Sequence, residues 1–373
     1  MAHTHEYSFC TVCGIPIAEY YREQVNGPSC WNARLWEANA VLLTGPHWSD
    51  TEQGPESMKV SPKSVTRRLA IAAHIDLHTI PDRERVFPQF EDYPNHHRIS
   101  FCIHSACDAI ADRVIETSPT AHIRSIGDLW MTLERRCTKT TRDVPNCFDN
   151  FLPEIPENNP DEPAKLGLGR YYLQPECFWE DPPSGWWNHD PLHIPDLTTA
   201  LISNLEQVHV TSSPFASTFA SLPQEIADMI IPLLLREPIE IDCNYLVPQT
   251  LWKDVFLQIP FLWDLDREVI ASKLSSVAPK GKEWNWEKLA RQVLSPPKVA
   301  SVEENGYGYL PWDYKDVGLV VPSGFTNRRR IWQICEDMYP NDVGMEHRPY
   351  QPPSNDEGLE SFDSDSDSSD NEE

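Results

Sequence analysis

Residues 221–235 read SLPQEIADMIIPLLL. Ser221 with Gln224 three positions later is a capping-box pattern, and Pro223 falls in the first turn, where its missing N–H leaves no helical bond unmade. A helix is therefore expected to start here. Ile226, Met229, Ile230, Leu233 and Leu234 then recur at i, i+3, i+4, i+7 and i+8, one apolar stripe of helical period. Such a stripe is either the core of a helical hairpin or a face for a partner. Pro232 removes one backbone donor inside the pattern and predicts a kink.

Outward from this stretch, residues 243–266 read CNYLVPQTLWKDVFLQIPFLWDLD, with Leu246, Val247 and Trp252 at apolar positions of the elements that follow. Helical periodicity runs from about 196 to 340 and ends in GFTNRRRIWQICEDMYP. There Ile331, Trp332, Ile334, Cys335 and Met338 define an apolar face. Arg328, Arg329 and Arg330 are expected to form a solvated charge run paired with the acidic body.

The whole chain has 373 residues and a formal charge of −26. Nine of its acids and none of its bases lie in residues 354–373, so the rest still carries −17. A body of that charge repels phosphate backbones, which argues against nucleic acid as a partner. The longest apolar runs fall far short of the roughly 18 residues that a membrane helix requires, so no membrane partner is expected. Ten cysteines are too sparse for a disulfide framework, and residues 1–9 have neither the basic region nor the apolar run of a secretory leader. The expected setting is intracellular, cytoplasmic or nuclear, with reduced thiols.

Thirty-four prolines against fifteen glycines interrupt every long periodic segment, giving short elements joined by long loops. The expected class is α+β, predominantly helical and loop-rich. Residues 1–125 form an N-terminal lobe, with helices expected over 30–43, 64–74 and 104–116. Residues 126–215 make an irregular lobe or linker rich in proline and tryptophan. The docking-helix segment spans 216–270, a C-terminal helical region 271–345, and a disordered acidic tail 346–373. Trp179, Trp186 and Trp187 lie beside prolines in the irregular lobe, where they either line a recognition groove or fill a core. In the tail, Ser364 and Ser369 each have an acid three positions on, as acidophilic kinase sites do.

The N-terminal lobe carries two spaced pairs of metal-type ligands. Residues 9–17, FCTVCGIPI, place Cys10 and Cys13 two residues apart with Gly14 behind them, the turn that lets two thiolates face one ion. Residues 97–110, HRISFCIHSACDAI, run from a strand-like segment into His104 and Cys107, three apart at a helix start. Together they complete Cys3His, a closed structural zinc set, with Cys30 and Cys102 as reserve ligands. The competing reading is four ordinary buried or surface residues. His74 and His78 have i,i+4 spacing, but the glutamate of a zinc protease is missing between them, so that pair is read as structural.

The C-x2-CG turn, the tryptophan-containing helix expected after it and the later HSAC at a helix start resemble fungal F-box domain-containing proteins that carry this Cys/His motif. The pattern LPQEI, then Leu246 and Val247, then Trp252 and finally LWDL resembles the F-box itself. The terminal NRRRIW segment is similar to the C-terminal helix of the same proteins. The resemblance implies a three-helix module over about 222–266 that docks on the adaptor subunit of a cullin-RING ubiquitin ligase. It implies docking or core roles for Leu222, Pro223, Ile226, Ile230, Leu246, Val247 and Trp252. A protein target, unspecified by the sequence, would bind elsewhere.

No catalytic constellation emerges. The GLG at 167–169 is too short for a dinucleotide fingerprint, and neither a phosphate-binding loop nor a nucleophile elbow is present. The expectation is a non-catalytic substrate receptor or adaptor; a zinc-dependent interaction scaffold outside ubiquitination is the alternative.

Overall fold

The computed structural model describes residues 10–15, 36, 39–47, 63, 65–71, 98–136, 185–209, 218, 221–223, 225–226, 229–230, 233, 241–275, 281–295, 301–302, 309–310 and 312–338. The fold is mixed α+β. Its first sheet is antiparallel in the order β2-β1-β3, from β1 (Asn39–His47), β2 (Thr66–Ile71) and β3 (Arg98–His104). Val41 pairs with Leu69 on one side and with Ile103 on the other, and Leu43 pairs with Arg67 and Phe101.

Two of the helices expected from the sequence are therefore contradicted where the structure describes them, at residues 39–43 and 66–71. Residues 39–43 of the expected helix 30–43 open β1 instead, because AVLL is a continuous apolar run whose periodicity cannot distinguish helix from buried strand. The Gly45-Pro46 pair behind it blocks helical continuation. Within the expected helix 64–74, residues 66–71 are β2, paired antiparallel with β1. The third expectation holds: α1 (Ser105–Thr117) follows β3 directly, with His104 as the extended residue before its first turn. Ile110, Ala111 and Val114 bury one face of it.

Helix α2 (Ile126–Arg136) packs on the Val41/Leu43 face of the sheet. Gly45 lies against the indole of Trp130, and a Cβ there would fall inside that ring. After a 3-10 turn (Trp186–Asn188) and α3 (Leu197–Ser203), β4 (Gln207–His209) pairs antiparallel with β5 (Lys282–Trp284). Between them stand α4 (Gln249–Leu257) and α5 (Arg267–Ser275), and α6 (Trp286–Leu294) follows β5. The short pair β6 (Ser301–Val302) and β7 (Tyr309–Leu310) and a 3-10 turn (Tyr314–Val317) lead to α7 (Ser323–Glu336). Trp186 and Trp187 fill the core rather than line a groove.

Helix α7 sits at the centre of this arrangement, and the expectation of a solvated arginine run does not hold: Arg328, Arg329 and Arg330 are all buried. Successive helical residues point about 100° apart, so three in a row reach three different elements. Arg328 pairs with both carboxylate oxygens of Asp264 at 2.7 Å, and it also donates to the carbonyls of Pro191 and Leu192. Its guanidinium lies 4.0 Å from the ring centroid of Trp263, and Arg113 of α1 stacks on the same ring at 4.4 Å. Arg329 donates to the carbonyl of Leu294, the last residue of α6 and the negative end of that helix dipole, and lies over the ring of Phe261. Arg330 stacks on Trp186 and donates to the backbone carbonyl of Cys13. A carboxylate, a helix terminus and a carbonyl thus receive the three charges.

No helix among the described residues is long and apolar enough to cross a membrane. Cys30, His74, His78, Trp179, Pro232 and the acidic tail with Ser364 and Ser369 lie outside the described residues.

Candidate metal centre

The C-x2-C turn is built by its own backbone. The N–H of Gly14 donates to the carbonyl of Cys10 at 2.8 Å, and the N–H of Cys10 donates to the carbonyl of Ile15 at 2.9 Å. Gly14 takes a φ of 75°, the left-handed region that glycine enters without a Cβ clash. Val12 and Ile15 are buried and anchor the turn in the core. The second pair is positioned by the junction of β3 and α1: His104 ends the strand and Cys107 lies in the first helical turn.

These two halves converge. Cys10, Cys13, His104 and Cys107 are all buried, and one ligand atom from each lies within 4.8 Å of the others. Nδ1 of His104 is 3.4 Å from Sγ of Cys13 and 3.9 Å from Sγ of Cys107. For metal bonds of 2.0–2.3 Å, a tetrahedron has edges of about 3.5 Å between nitrogen and sulfur and about 3.8 Å between sulfurs. The donor atoms therefore stand near the corners that one ion requires, and the four residues can hold a metal ion. The three thiols are free rather than disulfide-bonded. The ordinary-residue reading fails to explain why three thiols and an imidazole share one buried point.

Burial opposes charge on Cys10, yet hydrogen bonds from Cys107 and Cys13 and the field of His104 outweigh it and hold this thiol well below its usual range. The backbone N–H of His104 also donates to Cys10 Sγ at 3.3 Å. Burial likewise opposes charge on His104, and the neighbouring Cys10 and Cys13 thiols raise it well above the usual imidazole value. Cys107 is pushed well up by burial and by the same two sulfurs. Such a cluster already favours thiolate character at one corner, the form that ligates metal. The ring of Trp36 covers His104 at 4.7 Å between centroids, and Arg330 fixes the Cys13 carbonyl from the other side.

The docking positions expected from the sequence divide into two groups. Glu225, Ile226, Met229, Ile230 and Leu233 have helical backbone, with the N–H of Ile226 bonded to the carbonyl of Pro223 at 3.0 Å. Ile226, Met229 and Leu233 are 41%, 67% and 58% exposed, Pro223 is exposed, and Leu222 and Ile230 are half-buried. Leu246 is exposed, whereas Val247 packs against the core. Trp252 is fully buried beneath α6, so of the two roles open to it, docking or core, it takes the core. The Ser221 hydroxyl donates to the carbonyl of Thr218.

Sequence reading missed the side chains that hold these parts together: Asp264, Glu287 and the inward-facing arginines. One signal was present for the arginines. A helix carrying Phe325, Ile331, Trp332, Ile334 and Cys335 is apolar on most of its circumference, which leaves no solvent face wide enough for three consecutive cations. Compared with known proteins, the chain matches no family model, no curated protein and no solved structure.

Proposed function

We propose that the chain is a non-catalytic F-box-type substrate receptor, docking on the adaptor subunit of a cullin-RING ubiquitin ligase through residues 222–266 and binding a protein target elsewhere. The observation that carries this reading is the exposure of Ile226, Met229 and Leu233. They stand at i, i+3 and i+7, on one face over about two helical turns, and large apolar side chains grouped on one exposed face mark an interaction site. They follow the exposed Pro223 of an LP-x-EI start. The N-terminal lobe is stapled by one structural zinc ion held by Cys10, Cys13, His104 and Cys107. Three thiolates with one imidazole are a zinc-type donor set that leaves no position for substrate. Zinc there supplies cross-linking of segments far apart in sequence.

The test is co-expression of the full chain with the adaptor subunit, followed by capture. Wild type is expected to retain the adaptor, and Leu222→Ala/Pro223→Ala to lose it while keeping its melting temperature. A wild-type chain that captures no adaptor overturns the receptor reading and leaves the zinc-dependent interaction scaffold.

A further inference from the structure

Residues 243–247 lead into α4, and their conformation is not one that the chain adopts freely. Tyr245 has a φ of 52°, the left-handed region that an L side chain enters only when its surroundings enforce it. The enforcing group is Glu287, whose side chain is completely buried in the first turn of α6. Its Oε1 accepts the N–H of Asn244 and its Oε2 the N–H of Tyr245, both at 3.0 Å. Arg291, one turn on, donates to Oε1 from Nε at 2.9 Å and lies 2.8 Å from it through Nη2. The Arg291 guanidinium stands 5.0 Å from the ring centroid of Trp252 in α4. The backbone N–H of Glu287 donates to Oε1 of Gln249, the first residue of α4. Asn285 reaches the Tyr245 hydroxyl at 3.4 Å, and the N–H of Leu246 closes on the Asn244 side chain at 3.0 Å.

We infer that Glu287 is a positioning residue for docking: it holds 243–247 in the left-handed turn that carries the exposed Leu246, and Arg291 ties that turn to Trp252. Residue 287 lies beyond the 222–266 segment that resembles an F-box, so nothing in that resemblance assigns it this role. A carboxylate suits the task because two successive backbone N–H groups and a guanidinium all need acceptors at one buried point, and only an ionised acid offers two acceptor oxygens and no donor. Glutamine would turn an amide N–H₂ toward one of the two N–H groups. The inference rests on the receptor reading for its consequence, though not for its geometry.

The experiment uses the full chain, with hydrogen exchange and adaptor capture measured on Glu287→Gln, on Glu287→Gln/Arg291→Met and on Leu246→Ala. Losing one of the two loop hydrogen bonds, and turning an amide donor on the N–H left behind, is expected to speed exchange at 244–245 by about tenfold or more, with α1 and α7 unchanged. Arg291→Met in the Glu287→Gln background removes the guanidinium that Glu287 neutralises, so it should restore the melting temperature while the loop stays fast and adaptor association stays slow. Restored stability with restored capture would show a purely structural role and overturn the inference, as would unchanged exchange at 244–245 in Glu287→Gln. Failure of the wild type to bind adaptor sinks the receptor reading instead, and the exchange data then decide the clamp alone.

Discussion

The guanidinium of Arg330, in the middle of α7, donates a hydrogen bond to the backbone carbonyl of Cys13, 317 residues earlier in the chain. Two positions before it, Arg328 grips Asp264 in the LWDL turn. One helix thus holds the metal-type knuckle with one arginine and the end of the docking segment with another. Near its end, Glu336 accepts hydrogen bonds from Ser118 and Thr120 behind α1, a third tie to the N-terminal lobe.

Arg330→Met keeps the apolar stem but removes the donor, leaving the buried Cys13 carbonyl without this partner. The expected loss is about 1–3 kcal/mol, read as a lower urea midpoint with an unchanged slope. Metal should also leave at lower chelator concentration, because the knuckle loses an external brace. An unchanged midpoint together with unchanged chelator sensitivity would refute the brace.

Metal removal gives the second expectation. A preformed tetrahedral site does not exist in an unfolded chain, so binding energy at Cys10, Cys13, His104 and Cys107 appears as folding energy, on the order of 10 kcal/mol for structural zinc. Purified protein should contain one zinc per chain by elemental analysis, and Cys13→Ser should lower both metal content and melting temperature. Protons compete for thiolates and imidazole, so stability should fall with falling pH as metal is released, followed with a chromogenic chelator. Metal-free protein that melts at the same temperature as zinc-loaded protein would rule this out.

Gly45→Ala tests the sheet beneath this site. The added methyl group would enter the indole of Trp130, which is fully buried and cannot swing into solvent. Overpacking of this kind costs about 1–3 kcal/mol, so the melting temperature should drop while zinc content is retained. Trp130→Leu in the same background opens space and should recover part of the loss. Absence of any effect from Gly45→Ala would mean that β1 and α2 are farther apart than described.

The metal-type cluster was legible because its spacing rules are local: C-x2-C-G and H-x2-C each fit one turn of backbone, and only their meeting across 91 residues required tertiary structure. β3 and α1 were legible for the same reason, since an apolar run followed by a polar helix start is a short-range pattern. β1 and β2 were not, because AVLL and RRLAI satisfy either period until pairing selects the extended form, Phe101 and Ile103 of β3 for β1 and β1 itself for β2. Burial of three arginines was also hidden. Their acceptors are Asp264, the Leu294 carbonyl of α6 and a Cys13 carbonyl, groups that no spacing along the sequence connects to residues 328–330.

Ile226 separates scaffold from docking surface. A core isoleucine would make Ile226→Asp ruinous, because an unpaired charge would lose its hydration. Here the side chain is 41% exposed, and Met229 and Leu233 are more exposed still. The carboxylate of Ile226→Asp can therefore stay in water, and the melting temperature should move by no more than about 0.5 kcal/mol in equivalent stability, the range of ordinary surface changes. Binding should respond in the opposite way. An adaptor groove that accepts an isoleucine would have to desolvate the acid, and a central apolar anchor is worth about 2 kcal/mol or more, so capture should weaken by at least about thirtyfold. Trp252→Ala, beneath α6, should reverse the pattern by removing core volume first, with a loss of about 3–5 kcal/mol in stability. Circular dichroism melts and adaptor titrations on the two variants decide the matter: a destabilised Ile226→Asp would move residue 226 into the core, and a stable one that still binds adaptor normally would take the 226–233 face out of the interface.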